Sequence, residues 1–264
     1  MMKRNRFNKG ILILISLYLM IPLLLTFLYS IFTEWNKVTP SGITFKYYKE
    51  TLSDHNFIAS IIRTMAVSVI PFILCSVVVL LALYVIVVYH PEWDKYMQML
   101  CNIPYAIQGI ILAISVLSLY INAPYPFSNR IVMVILTYCI VILPYIYRGL
   151  KNSLDTIHAR RLIEAAQMLG ANRFYAFFAV VVPNIVSGIT IVAMLSISMV
   201  FGDFAIVNII GGSYYQTAQM YLYKKLAQSG QASSVIIVVM FGLTLILSGL
   251  INLFNRRKNR TQES

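Results

Sequence analysis

The sequence predicts an all-α, polytopic membrane protein with six transmembrane helices, organised as one domain over residues 1–264. Three observations predict it. Six apolar runs, each about 20 residues long, recur along the chain, and a helix of that length crosses the roughly 30 Å hydrocarbon layer. Residues are 59% hydrophobic and 11% charged, whereas soluble domains carry about 25% charge. The 21 Lys and Arg against 9 Asp and Glu give a net charge of +12, yet the basic residues sit in short segments between apolar runs. That distribution orients a chain in lipid and does not build a nucleic-acid surface.

The first span is expected over Gly10–Phe32, 23 uncharged residues that reach about 34 Å as a helix. Lys3, Arg4, Arg6 and Lys9 precede it as in a signal peptide. The run is too long and lacks a small-x-small cleavage site, so it is expected to stay attached. The remaining spans are expected at Met65–Tyr89, Gln98–Tyr120, Ile131–Tyr147, Asn184–Ile210 and Ser233–Phe254. Pro71, Pro104 and Pro144 fall inside them, and each removes a backbone donor and favours a kink.

An even number of spans places both termini on one side. Counting Lys and Arg in the loops gives 14 on the side of the termini and 7 opposite, so the termini and the loop Arg148–Pro183 are expected to be cytoplasmic. Trp35, Tyr89, Trp93, Tyr120 and Tyr147 cluster near span ends and read as interfacial anchors. Cys75, Cys101 and Cys139 lie in or beside apolar runs without zinc or disulfide spacing, and read as small packing residues.

The loop Arg148–Pro183 is the longest cytoplasmic segment and does not read as a linker. Leu154–Leu169 favours a helix, with Asn152, Ser153 and Asp155 suited to its start and Gly170 to its end. Ile157, Leu162, Ala165, Ala166 and Leu169 form an apolar stripe beside the basic Arg160 and Arg161. Such a helix could lie on lipid headgroups or dock into another protein, and composition alone leaves both open.

Glu164-Ala165-Ala166, Gly170 six residues after the glutamate, Val180, and Val182-Pro183 stand at fixed spacing in this loop. The pattern resembles the EAA loop of bacterial binding-protein-dependent ABC importer permeases, with Val182 where leucine is usual and Ser187 where a second proline often falls. The resemblance implies a coupling helix around Glu164–Leu169 that inserts into a separate ATPase subunit. It also implies partners: two ABC ATPase subunits carrying the ATP and Mg, a second permease that is identical or related, and an extracytoplasmic solute-binding protein.

Ser41-Gly42-Ile43-Thr44 with Tyr47 and Tyr48, Phe201-Gly202-Asp203-Phe204, Gly211–Tyr215 and Tyr221-Leu222-Tyr223 are similar to permeases grouped with spermidine/putrescine, 2-aminoethylphosphonate and ferric-iron importers. A polyamine is the first expectation for the solute and an organophosphonate the second.

Asp203 is the one acid expected within a span, toward the outer end of the fifth, and an acid in lipid usually faces a bundle interior or water. It is a candidate for the solute pathway, with capping or interhelical bonding as the alternative. Tyr105, Gln108 and Asn208 are polar groups that either line a cavity or bond helix to helix. An intramembrane enzyme would need a catalytic pair at membrane depth. The only histidines, His55, His90 and His158, are expected in loops, and Asp203 has no partner carboxylate. No phosphate-binding G-x-x-x-x-G-K-[S/T] loop occurs, so no catalytic, metal or cofactor site is expected on this chain. A self-sufficient ion-coupled transporter would leave the EAA pattern unexplained, and no internal repeat supports one.

Overall fold

The computed structural model describes residues 2–34, 41–107 and 109–262. In order it runs α1 (Met2–Ile31), β1 (Phe32–Glu34), β2 (Ser41–Ile43), α2 (Lys46–Ser53), α3 (His55–Val88), a 3-10 turn (Pro91–Trp93), α4 (Asp94–Ala106), α5 (Gly109–Tyr120), α6 (Arg130–Thr156) and α7 (Ala159–Met168). It continues with α8 (Arg173–Tyr175), a π turn (Ala176–Val181), α9 (Val182–Asn184), α10 (Val186–Phe201), a second π turn (Val207–Gly211), α11 (Ala218–Leu226) and α12 (Gly230–Gln262). Trp35 and Gln108 lie outside the described residues.

Among the described residues the fold is all-α apart from a two-stranded antiparallel ribbon that pairs Phe32 with Ile43 and Glu34 with Ser41. Among the described residues, three helices are long and apolar enough to cross a membrane, and the number rises to five if each of two bent pairs is one span. Gly230–Ile246 is a shorter apolar helix.

Several expected boundaries move. The second span begins ten residues early, because α3 starts at His55, so this histidine opens a helix and is not in a loop. The fourth continues past Tyr147 to Thr156. The expected third span is two helices, Pro91–Ala106 and Gly109–Tyr120, bent by 94°. Pro104 cannot donate to the carbonyl of Leu100, and the last turn of α4 tightens as the Ile107 amide bonds the Pro104 carbonyl at 3.2 Å. The expected fifth span stops at Phe201, and its start is preceded by Arg173–Asn184 at 66° to it. Tyr147 is no interfacial anchor: it is 1% exposed, and its hydroxyl donates to Asp94.

The chain divides into two compact units. The first comprises Met1–Ser60 and Tyr221–Ile246. Its α1 presents Leu12, Leu14 and Leu17 outward, as a lipid-facing helix must. At the other end of α1, Ser30 and Tyr48 share a hydroxyl–hydroxyl bond of 2.7 Å. The Tyr221 ring packs on buried Phe57 at 5.4 Å, and its hydroxyl donates to Asp54 at 2.6 Å. That hydrogen bond holds the Asp54 carboxyl below the usual carboxylate range.

The second unit comprises Ile61–Met220 with Leu247–Ser264. Its axis is α6, whose Tyr138, Ile142, Ile146, Leu150 and Leu154 recur every fourth residue and are all buried. A four-residue step keeps successive side chains on one face, and α6 packs chiefly on α10 and α4. Lipid is as apolar as leucine, so close packing rather than exclusion of water must hold such helices together. Two glycines supply it. A Cβ on Gly149 would overlap the Val192 side chain, and one on Gly188 would overlap Ser153, so α6 and α10 approach backbone to side chain. The three cysteines are free, as expected of packing residues.

Candidate functional site

The expected helix Leu154–Leu169 is divided in two. Ser153 and Asp155 do not cap a new helix: the Ser153 hydroxyl donates to the Gly149 carbonyl at 2.8 Å, and Asp155 accepts from Lys151 at 2.9 Å, so both support the continuing α6. The break comes at His158, which takes φ +52, and α7 begins at Ala159.

One face of α7 is fixed and the other is free of the fold. Ala159 and Ile163 are buried, and Leu162 and Ala166 pack half-buried against the same core. Glu164 and Ala165 of the expected motif are exposed, as are Met168 and Leu169, at 89% and 91%. The apolar stripe is therefore split: Leu162 and Ala166 turn inward, whereas Ala165 and Leu169 turn outward. Arg160 Nε bonds Glu164 Oε1 at 3.2 Å, an exposed pair four residues apart that contributes a few tenths of a kcal/mol.

Gly170 ends α7 as expected. The Gly170 amide bonds the Gln167 carbonyl at 2.9 Å and the Ala171 amide bonds the Ala166 carbonyl at 3.1 Å, the paired bonds of a Schellman turn. Gly170 has φ +88, and a Cβ there would meet nothing within 4 Å, so the constraint is the left-handed backbone and not space. Asn172 then caps the next helix by accepting from the Tyr175 amide at 2.7 Å. Pro183 follows the π turn Ala176–Val181, a widened segment where the helical ladder would have to absorb a residue that lacks an N–H. Sequence reasoning missed the Asn172 cap, although an asparagine two residues past a helix-ending glycine is a readable signal.

Behind α7 lies a cavity of about 470 Å³ walled by Ile86, Pro91, Asp94, Lys151, Asp155 and Arg161 among others. Lys151 stands 3.7 Å from Asp94 and 2.9 Å from Asp155. Asp94 also accepts from Gln98 at 3.0 Å and from Tyr147. The start of α4 is thereby tied to the end of α6, directly above the elbow that aims α7. The sequence shows only the local pairs Asp94–Gln98 and Lys151–Asp155 of this network; the links from Asp94 to Tyr147 and Lys151 join residues some fifty apart, and nothing in the sequence marks them.

The pathway candidates do not gather at one point. Tyr105 on α4 packs edge-on to Tyr145 at 5.4 Å with the Arg148 guanidinium 5.0 Å from its ring, and Arg148 donates to Asn102 at 2.7 Å. Asp203 follows the end of α10 instead of lying within a helix. Its Oδ1 accepts from the Tyr138 hydroxyl at 3.0 Å and from the Ile206 amide at 2.9 Å. Tyr138 and Tyr145 are both on α6, seven residues or roughly 10 Å apart along its axis, so Tyr105 and Asp203 address different levels. Asn208 is exposed on the π turn that Asp203 introduces. Arg130, at the start of α6, donates to the Ile210 carbonyl at 3.1 Å and lies over the Tyr214 ring, anchoring the end of that segment. Among the described residues no group of three His, Cys, Asp or Glu could hold a metal ion.

Residues 78–260 match the family described as binding-protein-dependent transport system inner membrane component. The chain is 21% identical over 239 residues, 89% of its length and 88% of the relative's, to PhnV of Salmonella typhimurium, a permease protein named for 2-aminoethylphosphonate transport. It is 29% identical over 107 residues, 40% of this chain and 37% of the relative, to the spermidine/putrescine permease protein PotB of Haemophilus influenzae. It is 31% identical over 157 residues, 55% of this chain and 53% of the relative, to the inner membrane ABC transporter permease protein YcjO of Escherichia coli. Among solved structures it is similar in fold to a chain of the MetNI methionine ABC transporter in an inward-facing conformation, with TM-score 0.59 and 20% identity over 78% of this chain and 95% of that one.

Proposed function

The chain belongs to the binding-protein-dependent transport system inner membrane components, and from that premise we propose that it passes solute inward using energy received through α7. It is a multi-pass inner-membrane permease of the ABC importer class. We assign it six spans, counting α12 as the sixth and each bent pair as one, with the EAA-like loop cytoplasmic. Two ATPase subunits bind below, a second permease completes the pathway, and a solute-binding protein delivers from outside. ATP closure opens the pathway outward, and hydrolysis resets it inward.

The observation that carries this reading is the two-sided character of α7. Its inner face is locked into the core of the second unit, while Met168 and Leu169 project at its tip almost fully exposed. A helix fixed at its base with an apolar tip in water suits insertion into a groove of another protein. Replacing Ala165, exposed on that outer face, with Asp places a charge where the ATPase would pack. Ala165→Asp should strongly reduce co-purification of the ATPase subunits and abolish uptake. Normal association with full transport would sink the coupling role.

The solute is proposed to be small and charged, a polyamine, as PotB's name says of that relative. The second reading is an organophosphonate, favoured by a likeness to PhnV that extends over nearly the whole chain. Thermal shift of the cognate binding protein against polyamines, phosphonates and ferric iron separates them.

A further inference from the structure

We propose that Tyr84 is a positioning residue for transport, the centre of an aromatic clasp that makes the cytoplasmic end of α3 move as one body with α7. The assignment rests on the reading of α7 as the ATPase contact.

Tyr84 lies one turn before the end of α3, and its ring meets four others. Tyr89 stands at 5.8 Å, Phe174 at 5.7 Å, Phe177 at 5.3 Å and Phe178 at 5.9 Å between centroids. The three phenylalanines also pack on one another, Phe174 on Phe178 at 4.6 Å and Phe177 on Phe178 at 5.2 Å. Arg173 closes the ring from outside, its guanidinium 5.3 Å from the Tyr89 ring, while the Tyr84 and Tyr89 hydroxyls lie 3.2 Å apart. Several of these pairs are edge-on, the arrangement that ring quadrupoles favour.

What makes the cluster more than core packing is its place in the chain. All three phenylalanines follow the tip of α7 within eight residues of Gly170. The connection between is pinned at successive points: the Schellman turn at Gly170, the Asn172 cap, then the π turn in which Phe177 is buried. A connection pinned at successive turns carries displacement rather than absorbing it. Among the described residues, Tyr84 is the one residue of α3 in ring contact with that segment. The ring supplies the contact; the hydroxyl reaches only Tyr89, so phenylalanine should substitute for it.

The test is a distance within this chain, measured in the importer assembled with its ATPase subunits. Spin labels go at Gln167→Cys on α7 and Val78→Cys on α3, both exposed, in a background of Cys75→Ala, Cys101→Ala and Cys139→Ala. Electron–electron double resonance is recorded without nucleotide and with ATP and vanadate. The labelled parent and Tyr84→Phe should give one distance that nucleotide trapping leaves unchanged. In Tyr84→Ala that distance should shift or broaden on trapping, with the ATPase still co-purifying; Phe178→Leu provides the same reading if the alanine variant fails to assemble. A trapping-dependent distance in the parent, or an unchanged one in both Tyr84→Ala and Phe178→Leu, overturns the clasp. Normal ATPase association of Ala165→Asp, measured alongside, removes the premise about α7 and the assignment with it.

Discussion

In the sequence Asp203 resembles a lone charge in lipid, whereas in the fold a single oxygen of its carboxylate serves two donors. Accepting from the Ile206 amide caps the segment that follows, and accepting from Tyr138 satisfies a hydroxyl on a side chain that is 1% exposed. Losing a cap costs about 1 kcal/mol, and orphaning a buried hydroxyl adds a further cost of about 1–3 kcal/mol. Asparagine keeps an acceptor at the same place. Asp203→Ala should therefore lower the thermal unfolding midpoint clearly, Asp203→Asn only slightly, and Asp203→Asn should retain uptake. Uptake lost in Asp203→Asn at an unchanged midpoint would place the carboxylate in the solute's path instead. The acid itself was legible because acids are costly at membrane depth. Its role was not, because Tyr138 lies 65 residues away and no local pattern pairs them.

Among the elements, α7 was legible at its end and illegible at its start. Gly170 is a local signal, since the left-handed turn it makes excludes most other residues. The start was misplaced because Ser153 and Asp155 look like caps wherever they occur, whereas each bonds back one turn within a helix that continues. The break after Ala106 was hidden for a related reason: hydropathy counts apolar length and is blind to direction, so a bent pair reads as one straight span. The end of α10 at Phe201 was passed over because the apolar run continues beyond it. The turn at Gly170 can be tested by itself. A Cβ there meets nothing, so Gly170→Ala should cost about 1 kcal/mol from the left-handed backbone alone, and Gly170→Asn less. The expected reading is a lowered unfolding midpoint and weaker ATPase co-purification for alanine, with asparagine close to the parent. An alanine variant matching the parent in both would show that the turn does not set the aim of α7.

For the whole molecule, composition was enough to place the chain in a membrane, because lipid leaves a helix few options for its backbone, and loop charge supplies an expected orientation. The number of crossings is a harder quantity. Three helices qualify outright, the two bent pairs bring the number to five, and the apolar part of α12 over Gly230–Ile246 decides whether it is six. Parity makes the question experimental. Six crossings put both termini on one side, which loop charge assigns to the cytoplasm together with α7, leaving the α5–α6 connection outside; five put the termini on opposite sides. A membrane-impermeant thiol reagent applied to intact cells should label Tyr125→Cys, exposed in that connection, and leave Leu169→Cys unlabelled until the membrane is opened. Reporters fused at the two ends should then agree in sidedness. Opposite signals would remove α12 as a span, and labelling of Leu169→Cys from outside would reverse the orientation and leave α7 on the wrong side of the membrane to meet an ATPase.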